Sequence, residues 1–261
     1  MRGWLPFFRT SWRLGARALL RRRDIRQGLI RLVIPLDPSR YLEFPQTVRE
    51  LRASPGERVL DLASPKLVAV ELAGRGVEVV SLDLDEAEVA TWRSLARDER
   101  GVTFDVADGR RLPFPDAHFD RAYSISVLEH IPDGGAGEAL AELARVVRPG
   151  GRIVVTLPYA ERYFEDWRDE SLYGSQEAVD GRYFFERWYD EAHLEELIAA
   201  VPGLRLAGRR VTRLVPNWHR MYARAFPWLI ALGPLYGVLA VEREGPPGDV
   251  VRLTFERNGS A

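Results

Sequence analysis

Apolar and polar positions change rhythm along this chain at regular intervals. From Arg58 onward, short apolar runs of strand length alternate with stretches whose apolar residues recur every three or four positions. Residues 59–62 read as a first strand and 66–73 as a helix. The Gly74-Arg75-Gly76 turn leads into a second strand at 77–83, followed by a helix over 86–98. A third strand is expected at 102–106 and a fourth at 119–126. A helix follows at 137–147, and Pro149-Gly150-Gly151 turns it into a fifth strand at 152–157. Such alternation predicts βαβ units, a parallel sheet and right-handed crossovers. Beyond it, 190–200 reads as a helix, 204–214 as a sixth strand and 249–256 as a seventh. The fold class expected is α/β, a doubly wound, seven-stranded, mostly parallel Rossmann-like sheet with an antiparallel edge strand.

Outside that core the pattern differs. Residues 1–34 carry many arginines, one acid (Asp24), and an apolar side supplied by Trp4, Phe7, Phe8, Trp12, Leu19 and Leu20. This predicts a basic amphipathic extension formed by one helix. It could lie on an anionic membrane surface or pack its apolar stripe on the domain. The remaining 35–261 reads as one domain with two inserts. The insert at about 159–189 is rich in aromatic residues, and the one at about 216–247 is apolar. Its run 226–241 is too short and too interrupted by glycine and proline to cross a bilayer. No signal peptide is expected.

Charge and composition then narrow the chemistry. The formal net charge of −1 excludes a globally basic nucleic-acid binder, and no DNA or RNA partner is expected. With no cysteine, thiolate metal sites and thiol nucleophiles are impossible, and no metal site is expected. Lys66 is the only lysine in the chain, and it falls in the loop after the first strand.

Ligands of doubly wound sheets bind at the carboxyl ends of the strands. Asp83 ends the second strand, where an acid can accept two hydrogen bonds from ribose hydroxyls; capping the next helix is the alternative for Asp83 and Asp85. Asp108-Gly109 follows the third strand, and a carboxylate beside a backbone N–H can read an adenine edge. A plain Asp-Gly turn is the other reading.

The motifs Asp108-Gly109, Leu112-Pro113-Phe114, Phe119-Asp120, Leu128-Glu129-His130 and Val147-Arg148-Pro149-Gly150-Gly151 occur in order. In that order the chain resembles the class I S-adenosylmethionine-dependent methyltransferases of the small-molecule type, firmly over about 55–158. The resemblance implies S-adenosylmethionine as cofactor. It implies that Asp83 holds the ribose and Leu84 packs on the adenine. Asp108 would take the adenine amine and Gly109 the ring nitrogen. Ser124 would line the methionine part, with Asp61 beneath the first loop. That loop departs from the family. Ala63, Pro65 and Leu67 stand where the family has glycine, which permits positive φ and close backbone approach. Pro65 removes a donor as well. Ser64 and Lys66 are then the expected replacements, Lys66 as a point charge for the cofactor carboxylate. The competing reading is a non-catalytic scaffold or partner subunit of the same fold.

Methyl transfer from a sulfonium depends chiefly on positioning, and a hydroxyl acceptor gains from a base. His130, at the exit of the fourth strand, is the candidate base; a structural histidine is the alternative. Tyr41 and Tyr159 are candidate acceptor contacts. The acceptor expected is a small or lipid-like molecule. An anionic membrane surface would be met through 1–34 and 226–241. The location expected is cytoplasmic, peripheral at the inner membrane face.

Overall fold

A computed structural model describes residues 3–21, 24–36, 40–171, 178–213, 241–243 (backbone) and 249–259. Most of the 216–247 insert, with the 226–240 run, lies outside the described residues. The helices are α1 (Leu5–Leu20), α2 (Ile25–Val33), α3 (Arg40–Leu51), α4 (Leu67–Ala73), α5 (Glu86–Leu95), α6 (Gly135–Val146) and α7 (Glu191–Ala199). The strands are β1 (Arg58–Leu62), β2 (Glu78–Asp83), β3 (Val102–Val106), β4 (Phe119–Ile125), β5 (Val147–Pro158), β6 (Phe164–Arg168), β7 (Tyr183–Trp188), β8 (Leu204–Arg213), β9 (Val241–Arg243) and β10 (Val250–Arg257).

One sheet runs β3-β2-β1-β4-β5-β10-β8-β9. The first five strands are parallel, and β10 pairs antiparallel with both β5 and β8. All seven expected strands form. The three-residue β9 adds an antiparallel eighth at the edge. Chain order reverses between β1 and β4, which is the switch point where such sheets bind ligands.

The strands are apolar on both faces because helices cover both. Ile153 and Val155 on β5 face a core shared with α6 and α7. Val154, between them, faces the core of α1, α3, α4 and α5. Gly151 is required by close approach: a Cβ there would lie 2.4 Å from Asp120 O. Its turn is absorbed into β5, which therefore begins at Val147.

The N-terminal extension is two helices rather than one. Asp24 breaks the run, accepting from Gln27 N at 2.9 Å as the N-cap of α2. The two helices pack closely through Gly15 and Gly28, where a Cβ on Gly15 would lie 2.9 Å from Gly28 O. Its buried side belongs to the domain: Phe7 meets Phe44 at 5.5 Å between ring centres, and Thr10 donates to Glu71 at 2.6 Å. Arg13 and Arg17 both reach Glu99 at 2.6 Å, and Arg31 lies over the Trp92 ring. The aromatic insert forms the hairpin β6–β7.

Candidate active site at the strand ends

The first loop is built around buried polar groups. Asp61, fully buried on β1, accepts from Ser64 N at 3.1 Å and Ser81 Oγ at 2.7 Å. Burial pushes its carboxyl up, against the pull of the Lys66 charge. Ser64 is also buried: its Oγ accepts from Ile125 N at 2.9 Å and ties the loop to β4. Ser124, beside it, donates to Leu62 O at 3.1 Å. Ala63 takes φ +52°, the left-handed region that glycine occupies without strain. Its N–H donates to Leu82 O at 2.9 Å. The amides of Ala63 and Ser64 are therefore used inside the protein. Ala63→Gly is expected to stabilise the fold by about 0.5–1 kcal/mol, since it removes an unfavourable φ at some cost in chain entropy. A chemical denaturation midpoint that does not rise would show the loop unstrained.

Lys66 turns inward. It is 1% exposed, and its ammonium donates to Ser64 O at 3.0 Å, Leu82 O at 3.1 Å and Asp83 Oδ2 at 2.7 Å. Three acceptors match its three donors. The charge is thus placed on the acid at the end of β2. The other oxygen of Asp83 accepts from Asp85 N at 3.1 Å. Capping of α5 is done by Asp85, which accepts from Ala87 N and Glu88 N, so Asp83 is not the cap. Leu84 stands exposed beside it.

On the neighbouring strand, Asp108 follows β3 and is held by Arg110, whose Nη2 donates at 2.7 Å. That guanidinium keeps its carboxyl below the usual carboxylate range. Gly109 packs tightly: a Cβ there would lie 2.9 Å from Leu62 Cδ1.

The exit of β4 holds a second cluster. His130 ends the short 3-10 turn Leu128–His130, and its Nδ1 lies 2.6 Å from Phe185 O on β7. A carbonyl only accepts, so Nδ1 carries the proton and Nε2 the lone pair. Burial lowers the His130 pKa, partly countered by the Phe185 bond. Ser126, just after β4, donates to Glu43 Oε1 at 2.9 Å; Thr156 Oγ1, on β5, donates to the same oxygen, and Arg40 bridges Glu43 and Ser126. Glu43 is buried and comes from α3. Sequence reasoning passed over Glu43, Arg40 and Thr156; the available signal was a lone acid inside the apolar run 41-YLEFP-45.

The two candidate acceptor tyrosines are engaged in contacts of their own. Tyr41 is buried in an aromatic cluster, 5.4 Å from Trp4 and 6.3 Å from Phe8 between ring centres. Tyr159 is buried, donates to Glu191 at 2.7 Å and accepts from Arg209 at 3.1 Å. Burial, with the Glu191 bond, pushes its hydroxyl up to about 12.

Residues 60–155 match the family model described as Methyltransferase domain. A demethylmenaquinone methyltransferase of Thermobifida fusca is 31% identical over 221 residues, covering 76% of this chain and 89% of that protein. The chain belongs to the class I S-adenosylmethionine-dependent methyltransferases. Another demethylmenaquinone methyltransferase, from Beutenbergia cavernae, is 41% identical over 130 residues, covering 49% of this chain and 50% of that one. The chain thus spans about half the length of several curated relatives and most of the Thermobifida protein. Among solved structures, a SAM-dependent methyltransferase of Methanosarcina mazei superposes with TM-score 0.56 at 15% identity, over 82% of this chain and 97% of that one. At that identity the likeness shows the fold alone. The ribose of S-adenosylmethionine fits the acceptor positions left on Asp83, while both oxygens of Asp108 accept from Arg110. An ionised carboxylate has about four acceptor positions, and the neighbours of Asp83 take two.

Proposed function

We propose that the protein transfers a methyl group from S-adenosylmethionine to a small, lipid-like quinone in its reduced, hydroxyl-bearing form. The single observation that carries this reading is the gathering of Asp83, Asp108-Gly109 and His130 at the carboxyl ends of β2, β3 and β4. The names of the relatives support the acceptor class. When bound, S-adenosylmethionine supplies an activated methyl group on sulfur.

The chain's own residues do the rest. Asp83 holds the ribose hydroxyls with its unused acceptor positions, and Lys66 fixes that carboxylate from below. Lys66 is therefore a positioning residue in this reading. Leu84 covers one adenine face. Asp108 takes the adenine amine on the side that exposed Arg110 now occupies, and Gly109 N–H meets the ring. Asp61, Ala63, Ser64 and Ser124 shape the floor beneath the methionine end. His130 presents Nε2 to the acceptor hydroxyl and receives its proton. The β6–β7 hairpin, fixed on His130 through Phe185, shields this corner from water. The test is incubation with S-adenosylmethionine carrying a labelled methyl and a short-chain reduced demethylated quinone. Labelled methyl in the quinone supports the reading; label that stays on the cofactor with every quinone offered overturns the acceptor.

A peripheral membrane position goes with a lipid-like acceptor. Trp12, Leu20, Ile25, Leu29, Leu32 and Val33 are exposed on the N-terminal helices, with Arg21 and Arg26 exposed near them. Among the described residues no helix is long and apolar enough to cross a membrane. An apolar face flanked by arginines suits the headgroup boundary of an anionic bilayer. The double change Leu29→Asp, Val33→Asp is expected to cut flotation with anionic vesicles at least about tenfold, because two charges would enter an apolar layer. Equal flotation of variant and parent would remove the membrane from the proposal.

A second reading, a partner subunit without turnover, draws on the Lys66–Asp83 ion pair, which already neutralises the ribose acid. It expects no cofactor binding.

A further inference from the structure

At the exit of β4 three side chains converge from two separate elements. Glu129 is 1% exposed, and its Oε2 has no hydrogen-bond partner. A buried carboxylate oxygen left without a partner is costly, and native proteins rarely keep one without a purpose. Glu129 Oε1 lies 3.9 Å from His130 Nε2, and Glu186 Oε2, on β7, lies 4.0 Å from the same nitrogen. One ligand atom from each of the three falls within 4.8 Å of the others. Two carboxyl groups are thus brought together around a nitrogen that carries a lone pair.

The Phe185 carbonyl fixes the state of that nitrogen. Because Nδ1 must donate to it at 2.6 Å, Nε2 carries the lone pair, 3.9 and 4.0 Å from the two acids. Metal-binding histidines are prepared in this way: a backbone carbonyl holds one ring N–H and leaves the other nitrogen as the ligand. Direct hydrogen bonding explains the spacing poorly, since 3.9 and 4.0 Å exceed ordinary hydrogen-bond lengths. A cation with bonds of about 2.1 Å holds neighbouring ligand atoms roughly 3–3.5 Å apart, so ligand atoms now within 4.8 Å of one another would close by roughly 0.5–2 Å.

We infer that Glu129, His130 Nε2 and Glu186 form a binding site for one divalent cation of the manganese, iron or zinc class. One imidazole and two carboxylates suit those ions. Three protein ligands leave positions open for an outside oxygen. The site joins the β4 exit to the β6–β7 hairpin, so the cation pins the hairpin in place. Its use by the enzyme rests on the methyl-transfer reading: with the cation bound, Nε2 is a ligand and no longer the base, and the cation takes the acceptor hydroxyl oxygen, whose proton passes to water. The site itself does not depend on that reading. The spacing of the ligands along the chain hid it from sequence reasoning, because the third comes from a distant hairpin.

The test uses the full chain, stripped with a chelator, without cofactor or quinone. Manganese(II) is titrated in, and free ion is followed by electron paramagnetic resonance, with protection of the hairpin followed by hydrogen exchange. One equivalent is expected to bind with micromolar affinity and to slow exchange over residues 164–168 and 183–188. Glu129→Gln and Glu186→Gln should each weaken binding at least about tenfold. Both are near-isosteric, and the first removes a buried acid, so the variants should fold. Glu165→Gln, on the same hairpin but outside the cluster, should bind as the parent does. Absence of stoichiometric binding, or equal binding by all three variants, overturns the cation site. Either result leaves His130 as a direct base and the methyl-transfer reading intact.

Discussion

Lys66→Met is expected to destabilise the protein by about 2–3 kcal/mol and lower Tm by roughly 5–10 °C. The change keeps the length of the side chain and removes its charge. It leaves Ser64 O and Leu82 O without their buried donor, and Asp83 without the cation 2.7 Å away. Removing one partner of a buried pair typically costs 3–5 kcal/mol. Asp83 is partly open to water, which lowers that figure. Cofactor affinity should fall at least about tenfold, or about 1.4 kcal/mol, because Asp83, the proposed ribose ligand, loses its orientation. Differential scanning calorimetry and a cofactor titration check the two effects separately. An unchanged Tm would mean that the ammonium does not hold the loop. Tighter cofactor binding in the variant would mean that Lys66 competes with the ribose and does not position its acceptor.

His130→Ala is expected to reduce kcat by about a hundredfold or more while cofactor affinity stays within about twofold. Its side chain reaches Phe185 and the two acids rather than Asp83 or Asp108. In the proposed reaction, loss of the ring removes the group that meets the acceptor, whether it acts as base or as ligand. Steady-state kinetics with the quinone and calorimetry with S-adenosylhomocysteine decide it. The reverse pattern, weak cofactor binding with normal turnover, would make His130 a packing residue of the hairpin.

The sheet could be read from the sequence because its signal is local. Apolar runs at strand length and helix-period runs between them place every strand of the parallel half within a few residues. The acids at the strand ends were legible for the same reason, since the end of a run marks the end of a strand. What the sequence hid depends on direction or on distance. Lys66 in a short loop can point out or in. It points in because Leu82 O and the Asp83 carboxylate offer buried acceptors on the adjacent strand, and a residue list does not show their position. Glu43 meets Ser126 and Thr156 only because α3 lies across the ends of β4 and β5. Glu129 and Glu186 meet only once the β6–β7 hairpin folds back onto the 3-10 turn. The break in the arginine-rich extension was local and readable, since Asp24 is an ordinary N-cap. The arginines on both sides of Asp24 instead suggest one continuous helix.

The central claim is that a glycine-free loop, rebuilt on Asp61, Ser64 and Lys66, still leaves Asp83 able to hold the cofactor. Calorimetric titration of the parent and of Asp83→Ala with S-adenosylmethionine and S-adenosylhomocysteine tests it most directly. One site of micromolar affinity, about −8 kcal/mol, in the parent and its loss in Asp83→Ala is the result predicted. Neither heat nor thermal shift with either molecule in the parent would contradict it. The Lys66–Asp83 pair would then be a replacement for the cofactor, and the fold would serve as a scaffold.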